Sequence, residues 1–194
     1  MWQKNKWLII GGIALLILST TTGFVLARRG KKKKDYSDKS KNIIIGDSQT
    51  PFIAKNTTKA VILSNEGSEG ALWKGGKNLS WLKGAVEKYK ESPDVNAIII
   101  NIGTNGGFSK KDDVSGLFSA LKKTFPNANF FVVKGSWGWG GNTDKTEKIV
   151  NEYYDLFTKE GGKVLEPAIG KVKDPHGNLP IYKEIGKSID SELS

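Results

Sequence analysis

A serine and the one histidine of this chain stand where they could act on each other. Asn42-Ile43-Ile44-Ile45-Gly46-Asp47-Ser48 is a short run of β-branched residues that breaks on glycine and then presents an acid and a hydroxyl. Such a run reads as a buried strand ending in a sharp turn, with Ser48 just past the strand's carboxyl end, where open α/β sheets carry their chemistry. A serine hydroxyl is a weak nucleophile until a base takes its proton. His176 is the only imidazole in the 194 residues, and it closes the tripeptide Asp174-Pro175-His176. Ser48 as nucleophile, His176 as base and Asp174 as the acid that orients the base is the acyl-transfer arrangement these residue types allow. Gly, Asp and Ser are also ordinary turn residues, and Asp47 reads as a carboxylate that accepts backbone N–H bonds to hold the turn.

Those side chains need a scaffold, and the hydrophobic pattern supplies one. After Ile43–Ile45 come Ala60-Val61-Ile62-Leu63, Ala97-Ile98-Ile99-Ile100, Phe130-Phe131-Val132-Val133 and Lys163-Val164-Leu165. Each run is short and lacks alternation, as parallel strands covered on both faces do. Between them, apolar residues recur at three and four: Leu79, Leu82, Val86, Tyr89; Val114, Leu117, Phe118, Leu121; Ile149, Val150, Tyr153, Tyr154, Phe157. That spacing predicts helices, with Ser109 and Asp112 as N-caps for the second and Gly161-Gly162 stopping the third. A last helix is expected over about 181–193. The alternation predicts a three-layer α/β/α sandwich with five parallel strands in residues 42–194, and His176 falls on the same sheet edge as Ser48.

Four stretches together resemble the signature blocks of the SGNH hydrolases, also called the GDSL esterase/lipase family. They are Gly46-Asp47-Ser48, Gly67-Ser68-Glu69-Gly70, Gly103-Thr104-Asn105 and Asp174-Pro175-His176. The resemblance covers about residues 42–190 and implies a flavodoxin-like sheet of strand order 2-1-3-4-5. It also implies a serine esterase that uses no cofactor, with Ser48, His176 and Asp174 catalytic. The oxyanion hole would be built from the Ser48 N–H, the Gly70 N–H and the Asn105 side-chain amide, with Gly67 as the alternative to Gly70. One departure stands out: the family spaces its acid and base as Asp-x-x-His, and this chain is one residue shorter, so a Ser-His dyad is the alternative to a triad. Trp73, Trp137 and Trp139 fall in loops after the second and fourth strands. Their flat faces would stack on sugar rings or pack on the sheet edge. The expected substrate is an O-acyl ester, with a carbohydrate or cell-envelope polymer as the best candidate. The competing reading is a catalytically weak or inactive binding module tethered to a membrane, in a cell envelope or a virus particle.

The rest of the composition bounds the partners. Residues 1–41 hold ten Lys/Arg and two Asp/Glu, so the tail carries +8 of the net +10 and gives no argument for nucleic-acid binding. No cysteine is present, and no cluster of His, Asp and Glu has metal-ligand spacing. No phosphate-binding or dinucleotide glycine motif follows a strand. Between Lys6 and Arg28 there is no charge, and residues 7–27 are long enough as a helix to cross a bilayer. Residues 1–27 therefore read as an N-terminal transmembrane anchor and 28–41 as a polybasic linker; a cleaved signal peptide is the competing reading. Arg28, Arg29 and Lys31–Lys34 favour a cytoplasmic domain by the positive-inside rule, whereas a tethered hydrolase is more often exported. The side of the membrane stays open.

Overall fold

The computed structural model describes residues 34–194 apart from 67, 166–169, 173 and 177–178. The expected transmembrane helix lies outside the described residues, and none of the described helices is long and apolar enough to cross a membrane. A compact unit runs from Asp35 to Ser194. It begins inside the stretch read as linker: the Asn42 side-chain amide donates to Tyr36 O at 2.9 Å, and the Tyr36 ring meets Phe131 edge-on.

Four parallel strands form the sheet: β1 (Asn42–Gly46), β2 (Ala97–Asn101), β3 (Asn129–Val133) and β4 (Lys163–Leu165), side by side in that order. The fifth strand expected at 60–63 does not form as a strand. Val61 makes one parallel bridge to Ile43 on the free edge of β1, and Trp73 makes another to Gly46. Two residues further along a regular strand, Leu63 would pair with Ile45. The chain instead leaves the edge, exposes Leu63 to 42 %, and returns only at Leu72, whose carbonyl accepts the Gly46 N–H at 3.0 Å. The edge strand is thus split by a long excursion, which decides which glycine follows it.

Among the described residues five helices accompany the strands: α1 (Thr50–Ala54), α2 (Leu79–Lys88), α3 (Val114–Thr124), α4 (Glu147–Lys159) and, after the last strand, α5 (Leu179–Glu192). The three internal periodicities become α2, α3 and α4. The N-cap of α3 differs from the expected Ser109 or Asp112: Asp113 accepts the Gly116 N–H at 2.9 Å, while Asp112 accepts the Tyr153 hydroxyl at 3.0 Å. α1 has no sequence periodicity; Pro51 in its first turn starts it.

The isoleucine runs are divided between two cores, as the alternation of strand side chains requires. Ile43, Ile45, Ile98, Ile100 and Val132 join Leu82, Phe118 and Phe157 from α2, α3 and α4. Ile44, Ile99, Phe131 and Val133 join Ile53 of α1 and Tyr182 and Ile189 of α5. Burying both faces explains why the runs show no polar alternation.

Candidate active site

The carboxyl ends of β1 and β2 are locked together by backbone. Gly46 pairs with Asn101, has φ of +144°, and a Cβ there would fall 1.8 Å from Asn101 O, so only glycine fits. The Asp47 N–H then donates to Asn101 O at 3.1 Å, and the chain turns so that Ser48 emerges half-buried. The Asp47 side chain turns inward and is only 1 % exposed. Its Oδ1 accepts the Gln49 N–H at 3.0 Å and the Asn101 amide at 2.8 Å, and its Oδ2 accepts the Asn105 amide at 3.3 Å. Burial pushes the Asp47 carboxyl up to about 6, against the opposing pull of the Gln49 N–H, His176 and Asn101. Asn101 carries no signal in a reading of motifs beyond being the polar residue that ends an isoleucine strand.

His176 comes back to the serine from the other end of the chain. Its Nε2 lies 2.8 Å from Ser48 Oγ, and its Nδ1 lies 2.9 Å from Asp174 Oδ1. With Nδ1 carrying the proton, that nitrogen donates to the carboxylate and Nε2 is free to accept from the serine. The short Asp-Pro-His spacing is accommodated by a turn in which Asp174 Oδ1 also accepts the His176 backbone N–H at 2.9 Å. One carboxylate oxygen therefore fixes both the backbone and the ring of the residue two positions on. The His176 backbone N–H, then the ring, hold the Asp174 carboxyl below its ordinary value. Asp174 is nevertheless open to water, its side chain 64 % exposed against 32 % for His176. Phe52 meets the imidazole from one element and Trp139 from another, with ring centroids 5.9 and 5.2 Å away and both contacts near edge-on.

The glycine brought to Ser48 by the edge excursion is Gly75. A Cβ on Gly75 would lie 3.7 Å from Ser48 Cβ, whereas Gly70 is exposed and a Cβ on it would lie 3.8 Å from Tyr89 Cε2. Gly67 lies outside the described residues. The sequence offered Gly70 or Gly67, seven and four residues beyond Leu63, as the oxyanion glycine; because the edge pairing resumes at Trp73, the glycine set beside Ser48 is Gly75, twelve residues beyond Leu63. The Gly75 N–H donates to Glu66 Oε1 at 2.7 Å, so a carboxylate from the excursion covers it. Asn105 stands in the 3-10 turn Thr104–Gly106 after β2 and directs its amide to Asp47 Oδ2 and, at 3.2 Å, to Lys77 O. Among the described residues, no carbonyl accepts the Ser48 N–H.

The three tryptophans part company. Trp73 is buried, bridged to Gly46, and its indole N–H donates to Ser64 O at 2.8 Å. Trp137 is buried and bridged to Lys171, with its carbonyl accepting the Val172 N–H at 2.8 Å. Those two pack as structure, and the Trp137 bridge ties the loop after β3 to the segment that leads to His176. Trp139 alone reaches the catalytic candidates. Among the described residues, no group of three His, Cys, Asp or Glu side chains gathers as a metal site.

No protein-family model and no curated protein matches the chain. Solved structures do. A Streptococcus pneumonia protein, provisionally described as a platelet activating factor, aligns over 94 % of this chain and 99 % of its own with a TM-score of 0.55 at 12 % identity. A Desulfitobacterium hafniense DCB-2 protein, provisionally assigned to the G-D-S-L lipolytic family, aligns over 77 % of this chain and 97 % of its own at 10 % identity and a TM-score of 0.49. An active-site mutant of a family two carbohydrate esterase from Clostridium thermocellum covers 78 % of this chain and 62 % of its own, with 17 % identity and a TM-score of 0.43. That esterase was also solved with cellohexaose. At such identities the first likeness speaks to fold alone, and the two lower scores carry no argument. The chain has a parallel α/β fold, and the solved structures that resemble it are SGNH (G-D-S-L) family esterases.

Proposed function

We propose that this chain is a serine ester hydrolase working through an acyl-enzyme. The observation that carries the proposal is the relay Ser48 Oγ, His176 Nε2, His176 Nδ1, Asp174 Oδ1, with contacts of 2.8 and 2.9 Å. Ser48 Oγ attacks the ester carbonyl as His176 Nε2 takes its proton. Asp174 holds the ring in that tautomer and stabilises the imidazolium that forms. The tetrahedral oxyanion is met by the Ser48 N–H, by the Gly75 N–H once Glu66 has moved off it, and by the Asn105 amide; Gly75 takes the role the sequence suggested for Gly70. His176 then protonates the departing alcohol, and water, deprotonated in turn by His176, releases the acid and restores Ser48.

The natural substrate in this proposal is an O-acyl ester of a carbohydrate or cell-envelope polymer. Residues 1–27 tether the enzyme to a membrane through a single span, and the basic residues that follow form the junction with the domain. The second reading, a tethered binding module without turnover, is favoured by one feature: the Gly75 N–H and the Asn105 amide are both engaged by protein acceptors. A fluorophosphonate probe and p-nitrophenyl acetate separate the two. Wild type should label and turn over while Ser48→Ala does neither; a folded wild type that neither labels nor turns over makes the chain a binding module.

A further inference from the structure

The excursion that splits the edge strand also builds one wall of a cleft of about 690 Å³, with α2 as the other wall. That size lies within the roughly 300–1,000 Å³ of small-molecule sites. Trp81 and Tyr89 supply partly buried aromatic surface that packs on the core at its back, and the Tyr89 ring lies 5.8 Å from that of Phe125. Lys74, Lys88 and Lys90 line the same cleft, against the single acid Glu69. Among the described residues none of these three lysines enters an ion pair, although Lys83 on the same helix pairs with Glu87 and Asp113. Three ammonium groups against one carboxylate around one concavity concentrate positive potential there. Gly70, with φ of +74°, and Gly84, with nothing within 4 Å of a Cβ, leave the cleft open.

The cleft is joined to the serine by the chain itself. The Lys74 N–H donates to Gly46 O at 3.0 Å, and the next residue, Gly75, is the one that flanks Ser48. Lys74, which lines the cleft, is thus one residue from the glycine beside the nucleophile. We propose that this cleft binds an anionic glycan chain, its sugar rings against Trp81 and Tyr89 and its acidic groups on Lys74, Lys88 and Lys90, and leads that chain to Ser48. Aromatic faces select the ring and the lysines select the charge, so neither a neutral glycan nor a sugar-free polyanion satisfies both. The carboxylate of a uronic acid and the phosphate of a sugar phosphodiester share this chemistry. The inference names the substrate class of the esterase proposed above and rests on that reading for its link to Ser48, while the binding itself does not.

The test uses the full chain carrying Ser48→Ala, at about 0.15 M salt where long-range attraction is screened. Its probes are fluorescent oligogalacturonate, a phosphodiester-bearing mannan oligosaccharide, dextran and poly-glutamate. One or both anionic glycans should bind, and whichever binds identifies the acidic group. Lys74→Ser/Lys88→Ser/Lys90→Ser should weaken that binding about tenfold, and Trp81→Ala should weaken it as well. Replacing Lys31–Lys34 by serine should leave it unchanged, which separates the cleft from the basic tail. Thermal melting checks that each variant is folded. The proposal is overturned if dextran binds as well as the anionic glycans, if poly-glutamate binds equally and Trp81→Ala has no effect, or if the triple variant binds as before. Failure of binding beside intact wild-type turnover of p-nitrophenyl acetate removes the cleft and leaves the esterase; binding without turnover removes the esterase and leaves the cleft.

Discussion

Replacing Asp47 by asparagine tests the turn that presents Ser48, because the buried carboxylate has a stability signature with a definite sign. Its native value is about 6 against an ordinary 3.8. The native state therefore holds this proton more tightly than the unfolded chain does. Between those two values the native form is protonated and the unfolded form is not, so stability falls as pH rises through the window and is level above it. The interval corresponds to about 3 kcal/mol, at about 1.4 kcal/mol per pH unit. The amide that replaces the carboxyl does not titrate. The difference in unfolding free energy, Asp47→Asn minus wild type, should therefore grow by about 3 kcal/mol in all, most of it between pH 4 and pH 7, and then stay flat. A constant offset will accompany it, because an asparagine can satisfy one side only: with its oxygen toward Gln49 and Asn101, its NH₂ faces the Asn105 amide. Urea unfolding followed by tryptophan fluorescence gives both curves. Repeating the pair in a His176→Ala background removes a neighbour that lowers Asp47. A difference that is flat, or that shrinks with rising pH, would refute the argument that burial dominates this carboxyl.

Asn105→Ala should lower kcat by roughly 10²–10³ with little change in KM, as loss of one oxyanion donor does; an unchanged kcat removes Asn105 from the oxyanion hole. Asp174→Ala should reduce kcat far less than the roughly 10⁴ typical of a buried triad acid, because the carboxylate is 64 % exposed and water can replace it. A loss as large as that of His176→Ala would contradict this and make Asp174 a full triad member. Glu66→Ala should lower KM for p-nitrophenyl acetate, because the substrate no longer displaces a carboxylate from the Gly75 N–H. If KM rises or stays the same, the carboxylate does not compete at that donor.

Local pattern carried much of this protein. The isoleucine runs at 43–45 and 98–100 announce buried strands because each residue contributes to one of two cores, and no position is left for a polar side chain. The three-and-four spacing of α2, α3 and α4 is equally local, since a helix buries one stripe whatever it packs against. Ser48 and His176 could be paired from sequence because both follow strands of one parallel sheet, and parallel strands put their carboxyl ends on one edge. Other features depended on the path of a loop, which no local pattern encodes. Residues 62–72 leave the β1 edge between two bridges, so the glycine at Ser48 is Gly75 and Gly70 turns toward Tyr89. The fate of the tryptophans follows from the same kind of long-range pairing: Trp73 and Trp137 are consumed by bridges, and Trp139 is left to meet His176. The Asp174 contact was decided by a two-residue turn whose geometry, more than its residue count, brings the carboxylate to both the His176 N–H and the ring. Composition and periodicity marked β1 to β4 and α2 to α5 because each buries its own surface, but not the break in the edge run at 60–63 or the short α1. The partners of Ser48 waited on tertiary structure, since they come from segments far apart in the chain that only the finished sheet brings together.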